Sequence, residues 1–293
     1  KLHFQVQCKA KAKQCFFSLH LPPASHAVTS NPSTFSSSSS YKNPSLYIKF
    51  RTSHRENLRY LKAIGILDPY TKPHNLPSPD AVTHLFSIIH FFKSKGILDA
   101  DFSRLAYLCP QLFTINFDPS EIEPVFDFLI TNLHATVPER RGLIVNCPYI
   151  LLSDVEYCLQ PTLDYLRKLG VKKLNMPTKL NAYLLNTRVD KLRETLKFLK
   201  SMGLRHKEAA EICRRMPAIF GYNIEDNLRI KFEFLVVEMG RSLEELMEFP
   251  QYFGFSLGKR IAPRHWHLKQ RNVHIKLNRM LLWSDHRFYT KYK

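Results

Sequence analysis

Residues 188–220 read RVDKLRETLKFLKSMGLRHKEAAEICRRMPAIF, and this stretch decides the fold. Val189, Leu192, Leu196, Leu199 and Met202 recur at helical spacing and place one apolar stripe on one face. Gly203 follows where a left-handed residue would close that helix. Ala209, Ala210, Ile212 and Cys213 then form a second stripe, which Pro217 must end because proline cannot continue the hydrogen-bond ladder. The unit reads as helix, glycine turn, helix, proline break.

The same plan recurs outward in both directions. Its first half, an aromatic and an apolar residue running into glycine, appears at Tyr60…Gly65, Phe91…Gly96, Tyr165…Gly170, Phe198…Gly203 and Phe234…Gly240. A degenerate copy, Phe128-Leu129…Leu133, has no glycine. The aromatics stand 31, 37, 37, 33 and 36 residues apart. Its second half, apolar-Pro-x-apolar-apolar, begins at Cys109, Cys147, Met216 and Phe249, and Asn181-Ala182-Tyr183-Leu184-Leu185 is a copy without the proline. One helix pair cannot bury its own apolar face, so in-phase copies must stack. The expected fold is all-α, an α-solenoid of helix–turn–helix repeats of about 31–37 residues. Tetratricopeptide and pentatricopeptide arrays share the unit length. They keep a stricter spacing, lack a proline in every unit, or carry Trp-Leu-Gly-Tyr landmarks that are missing here.

The stretch Phe249-Pro250-Gln251-Tyr252-Phe253-Gly254-Phe255-Ser256-Leu257-Gly258-Lys259-Arg260-Ile261-Ala262-Pro263-Arg264-His265 is the most specific piece of the chain. It resembles the closing signature of the mitochondrial transcription termination factor (mTERF) family, with Gly258 standing where an acidic residue is usual. The resemblance covers roughly residues 55–293 and suits a short plant member. It implies a protein of chloroplasts or mitochondria that binds DNA or RNA in transcription termination, rRNA maturation or splicing.

Charge is distributed unevenly over the 293 residues, whose formal net charge is +18. Residues 1–55 hold eight Lys/Arg and no acid, 56–160 net −4, 161–215 net +9, 216–257 net −4 and 258–293 net +9. A polyanion is the partner such a balance suggests. The candidate contacts in 161–215 are Arg167 and Lys168 opposite the Leu163/Leu166/Leu169 stripe, with Lys172 and Lys173 beside the Gly170 turn. Lys191, Lys197 and Lys200 lie on the helix before Gly203, Arg205 and Lys207 just after it, and Arg214 and Arg215 at the end of the second helix. The C-terminal segment adds Lys259, Arg260, Arg264, Lys269 and Arg271, with Trp266 as a surface for stacking or for closing the solenoid. Cations of this kind neutralise phosphates and carry little sequence information.

Three regions are expected: 1–50 an organelle transit segment, 51–257 the helical repeats, and 258–293 a basic cap. The first is rich in serine, free of acids and without arginine before Arg51, which favours the plastid over the mitochondrion. Nothing reads as an enzyme. There is no Gly-rich phosphate loop, no G-x-S-x-G and no H-E-x-x-H. No cofactor and no metal site are expected, since the six cysteines include no C-x-x-C pair. The expected partners are double-stranded DNA or structured RNA of the organelle, with other gene-expression proteins besides, and the chain is read as a monomer without a membrane span. The alternative is a helical-repeat scaffold whose acidic segments, 56–160 and 216–257, dock proteins without any nucleic acid.

Overall fold

The computed structural model describes residues 53–293. The expected transit segment lies outside the described residues. Helices α1 (His54–Ala63), α2 (Pro79–Ser94), α3 (Asp99–Leu108), α4 (Glu123–Thr131), α5 (Val137–Asn146), α6 (Gln160–Lys168) and α7 (Lys179–Leu185) come first. They are followed by α8 (Val189–Ser201), α9 (His206–Arg215), α10 (Ile230–Glu233), α11 (Leu243–Glu248), α12 (Ala262–Lys269), α13 (Leu277–Leu282) and α14 (Asp285–Lys291). No strand occurs among the described residues. The fold is the expected all-α solenoid of paired helices.

Each glycine of the repeat does what the sequence required of it. Gly65, Gly96, Gly170, Gly203 and Gly240 all have positive φ, between 60° and 98°. At Gly65, Gly96 and Gly170 the turn is a Schellman closure: at Gly96 the glycine N–H reaches the Lys93 carbonyl, and the Ile97 N–H reaches the Phe92 carbonyl. Gly96 has a second reason to lack a side chain, since a Cβ would stand 2.5 Å from Val137 Cγ1 of the next unit. The degenerate copy also turns through a left-handed residue, His134 at φ 55°, but closes by a wider bond from the Ala135 N–H to the Leu129 carbonyl, and one more closure occurs at Asn272 with φ 52°. The array therefore has seven turns, the last inside the segment expected to be a cap.

The second helix of the second, third and fifth pairs opens on a carboxylate that accepts the backbone N–H three residues before it: Asp101 for Leu98, Glu139 for Thr136 and Glu208 for Arg205. It stops at the residue before proline. Cys109, Cys147, Met216 and Phe249 share one extended backbone state, with φ between −145° and −137° and ψ between 66° and 80°. The following ring excludes the α region there, and a short 3₁₀ turn then runs from the proline. Where the proline is missing, Asn181–Leu185 stays within the α-helix α7, because nothing interrupts the ladder. Asp118, Asp154, Asn223 and Ser256 cap the first helix of the unit that follows.

The recurring aromatics join the units. Tyr60 stacks on Phe86 of α2 at 5.6 Å, Phe91 meets Phe126 of α4 at 5.8 Å, and Phe234 meets Trp266 of α12 at 6.3 Å. Tyr165 and Phe198 instead carry guanidinium groups from the next unit, Arg193 at 5.6 Å and Arg229 at 5.3 Å. Leu166 and Leu199 are wholly buried in the continuous core these contacts enclose.

Candidate nucleic-acid interface

Because each unit is a hairpin, the array has two edges. One carries the glycine turns and the other carries the proline breaks. Arg167, Lys168, Lys172 and Lys173 lie at the turn edge of the fourth unit (α6–α7), and Lys200, Arg205 and Lys207 at that of the fifth (α8–α9). Lys173 itself has φ 57° in the loop that leaves Gly170.

What separates these cations is whether the chain already neutralises them. Asp190, Glu208 and Glu211 of the two units face arginine. Glu208 pairs with Arg205 and Glu211 with Arg214, and in both cases the guanidinium hydrogen bonds hold the carboxyl below its ordinary range. Asp190 faces Arg193 at 3.4 Å, and Asp164 accepts from Gln160. The ammonium groups of Lys168, Lys172, Lys173, Lys200 and Lys207, on exposed residues, have no hydrogen-bond or ion-pair partner among the described residues. Lysines of the acidic units differ: Lys93 pairs with Asp99 at 2.7 Å and Lys95 with Glu123 at 2.5 Å. The turn edge of units four and five is thus a run of unneutralised charge.

The other candidates divide. Lys197 lies in an open furrow with Glu194, Glu225 and Arg229, and Arg229 already takes Glu225 at 2.6 and 3.0 Å. Lys191 sits on the far side of α8, over the Tyr183 ring at 5.9 Å, and faces the break edge. Arg167 donates to the Asn132 carbonyl at 2.6 Å and Arg215 to the Glu248 carbonyl at 3.0 Å, so both tie neighbouring units while staying exposed. In the last unit (α12–α13), Lys259 is exposed and unpaired. Arg260 reaches the Leu281 carbonyl at 3.3 Å, Arg271 reaches the His267 carbonyl at 3.1 Å, and Lys269 covers Trp266 at 4.8 Å. Trp266 is half-exposed, with its edge against Phe234.

Arg264 is a correction. Its side chain is 1% exposed, and its guanidinium donates to the carbonyls of Met280 and Trp283 and to Asp285 while lying 4.6 Å from the Phe288 ring. It is a clamp between α12, α13 and α14, and no phosphate can reach it. Spacing alone could not separate it from Arg260, since both are basic residues of one signature.

Sequence reasoning missed three further polar clamps. Arg141 makes a two-pronged bond to the buried Asp101 at 2.6 and 2.9 Å. Arg104 donates to the Val145 carbonyl at 2.7 Å. Lys231 is buried, donates to the Phe253 carbonyl at 2.7 Å, and is pushed down to about 8 by loss of water. Each reaches across 22 to 41 residues, a separation that no local pattern reports.

Paired helices closed by left-handed turns and proline breaks, with cations left open along one edge, define an α-solenoid. Comparison with known proteins gives the family. The mTERF family model matches residues 139–289, and the chain belongs to that family. It is 38% identical over 98 residues to the chloroplastic transcription termination factor MTERF2 of Arabidopsis thaliana, covering 33% of this chain and 15% of that one. It is 27% identical over 214 residues to the chloroplastic MTERF8 of the same plant, covering 71% and 41%. A mitochondrial relative, MTERF15, is 26% identical over 220 residues, covering 72% and 47%. The chain spans less than half the length of each of these relatives.

Proposed function

We propose that this chain acts in organelle gene expression, in the chloroplast, by binding the phosphate backbone of double-stranded DNA or structured RNA. The observation that carries this reading is the row Lys168, Lys172, Lys173, Lys200 and Lys207, exposed and unneutralised while Glu208 and Glu211 are taken by arginines. Such a row attracts a polyanion through counterion release and positions it without reading bases. Lys259, Lys269 and Arg271 extend the surface in the last unit. The relatives MTERF2 and MTERF8 are named as chloroplastic transcription termination factors, which supports the compartment and the general role. No helix among the described residues is long and apolar enough to cross a membrane.

The test is a charge reversal at Lys168, Lys172 and Lys173, read by fluorescence anisotropy on labelled duplex DNA and hairpin RNA. Affinity should fall alike for every sequence tried. A reversal of Lys62, Lys93 and Lys95 changes net charge by the same amount and should matter far less. Equal losses from both variants would remove the local interface and leave only a global charge effect.

A further inference from the structure

We propose that the break edge of the second and third units (α2–α3 and α4–α5) is a docking surface for a positively charged protein segment with apolar anchors. Tyr107, in the last turn of α3, is 86% exposed, and Tyr157, one turn past the Asp154 cap, is 78% exposed. Ile115, Tyr149 and Leu152 lie between them on the two 3₁₀ breaks or just past them, and all three are exposed. The Arg104 bond to the Val145 carbonyl draws the ends of α3 and α5 together, so these side chains share one edge. None of the three tyrosine hydroxyls has a partner among the described residues. Single exposed hydrophobes are ordinary, but several tyrosines and aliphatics exposed along one edge mark an interaction site.

The charge around the patch identifies the occupant. In a chain of net charge +18, residues 105–139 and 142–166 contain no lysine or arginine. The cations that flank these stretches are used internally: Arg104 on Val145, Arg140 on the Ala135 carbonyl and Arg141 on Asp101. Asp118 and Asp154 cap the helices at this edge, and Glu121 and Glu156 stand exposed beside them with no partner among the described residues. Arg188, at the start of the fifth unit, marks the border with the basic surface. Carboxylates among the rings repel a phosphate backbone and attract a basic polypeptide, so the two edges select opposite partners. The nucleic-acid edge and the protein edge would then act together on one scaffold.

A fluorophore-labelled Lys/Leu amphipathic helical peptide is the probe, titrated by anisotropy into the whole chain. Saturable binding is expected despite the like net charge of both molecules. The triple variant Tyr107→Ser, Tyr149→Ser and Tyr157→Ser should weaken it by about tenfold or more, the size usual for loss of aromatic anchors. Glu121→Gln with Glu156→Gln should weaken it at low salt and little at high salt. Val237→Ser, at an exposed site in another unit, should leave it unchanged, and thermal melts should show all variants folded. DNA and RNA affinity should be unaltered in every one, which separates this test from that of the nucleic-acid edge. A peptide that fails to saturate, or binds the tyrosine variant as well as the parent, overturns the proposal. So does a tyrosine variant that loses nucleic-acid affinity, since the rings would then be stacking on bases.

Discussion

Replacing Arg264 with alanine should unfold the end of the array and leave the proposed interface chemically untouched. The side chain satisfies the carbonyls of Met280 and Trp283, and orphaning a buried acceptor costs about 1–3 kcal/mol. Its partner Asp285 is 70% exposed and can rehydrate, so breaking that pair adds much less than a fully buried pair would. The contact with Phe288 at 4.6 Å contributes about 1–2 kcal/mol in a desolvated setting. The expected total is about 3–8 kcal/mol, a large part of the roughly 5–15 kcal/mol that holds a domain folded. Urea denaturation followed by circular dichroism should show the midpoint falling, with limited proteolysis cutting first between residues 270 and 285. Arg264→Lys should recover little, because one ammonium cannot span three acceptors in the fork's geometry. Asp285, held below its ordinary range first by the bond to Arg264, contributes stability above that range that is lost as pH falls. A stability loss under about 1 kcal/mol together with a selective loss of nucleic-acid affinity would refute the clamp and restore Arg264 to the interface.

Leu166→Ala and Leu199→Ala should each cost about 2–5 kcal/mol by chemical denaturation, because both side chains are fully buried; a loss under about 0.5 kcal/mol would mean the wrong helix face. Gly96→Ala should cost about 1–2 kcal/mol for its left-handed backbone alone, and more for the approach to Val137, while the exposed Gly258→Ala should be near neutral in the same melts. Burial lowers Lys231 to about 8, so the unfolded chain binds more protons than the folded one between that pH and the ordinary lysine value. Stability should therefore rise with pH across that window. Cys109 and Cys213, pushed up to about 12 by burial, act in the opposite sense at higher pH. The difference between the parent and Lys231→Met isolates the lysine, and pH curves that run parallel would show that it titrates normally.

The fold was legible because its determinants are local. A glycine at the end of an apolar stripe, and a proline after an apolar residue, each act on their own backbone, and all five glycines adopt the required turn. The seventh turn was hidden because Asn272 takes the glycine's place, and asparagine is among the few residues that tolerate a left-handed backbone. Of the candidate site, the sequence showed which segment is basic but not which cations are free. Arg205 and Arg214 lose their charge advantage to glutamates three residues away, a pattern the sequence did contain. Arg264, Arg215 and Lys191 owe their environments to groups packed from elsewhere in the fold, which spacing cannot report.

The most direct test of the interface is the salt dependence of binding. Log K for a labelled duplex should fall linearly with log salt for the parent chain. Reversing Lys168, Lys172 and Lys173 should make the slope shallower by about 2.7, the share of three lost phosphate contacts at about 0.9 each. A parent slope near zero, or a slope unchanged by the triple reversal, would contradict the account.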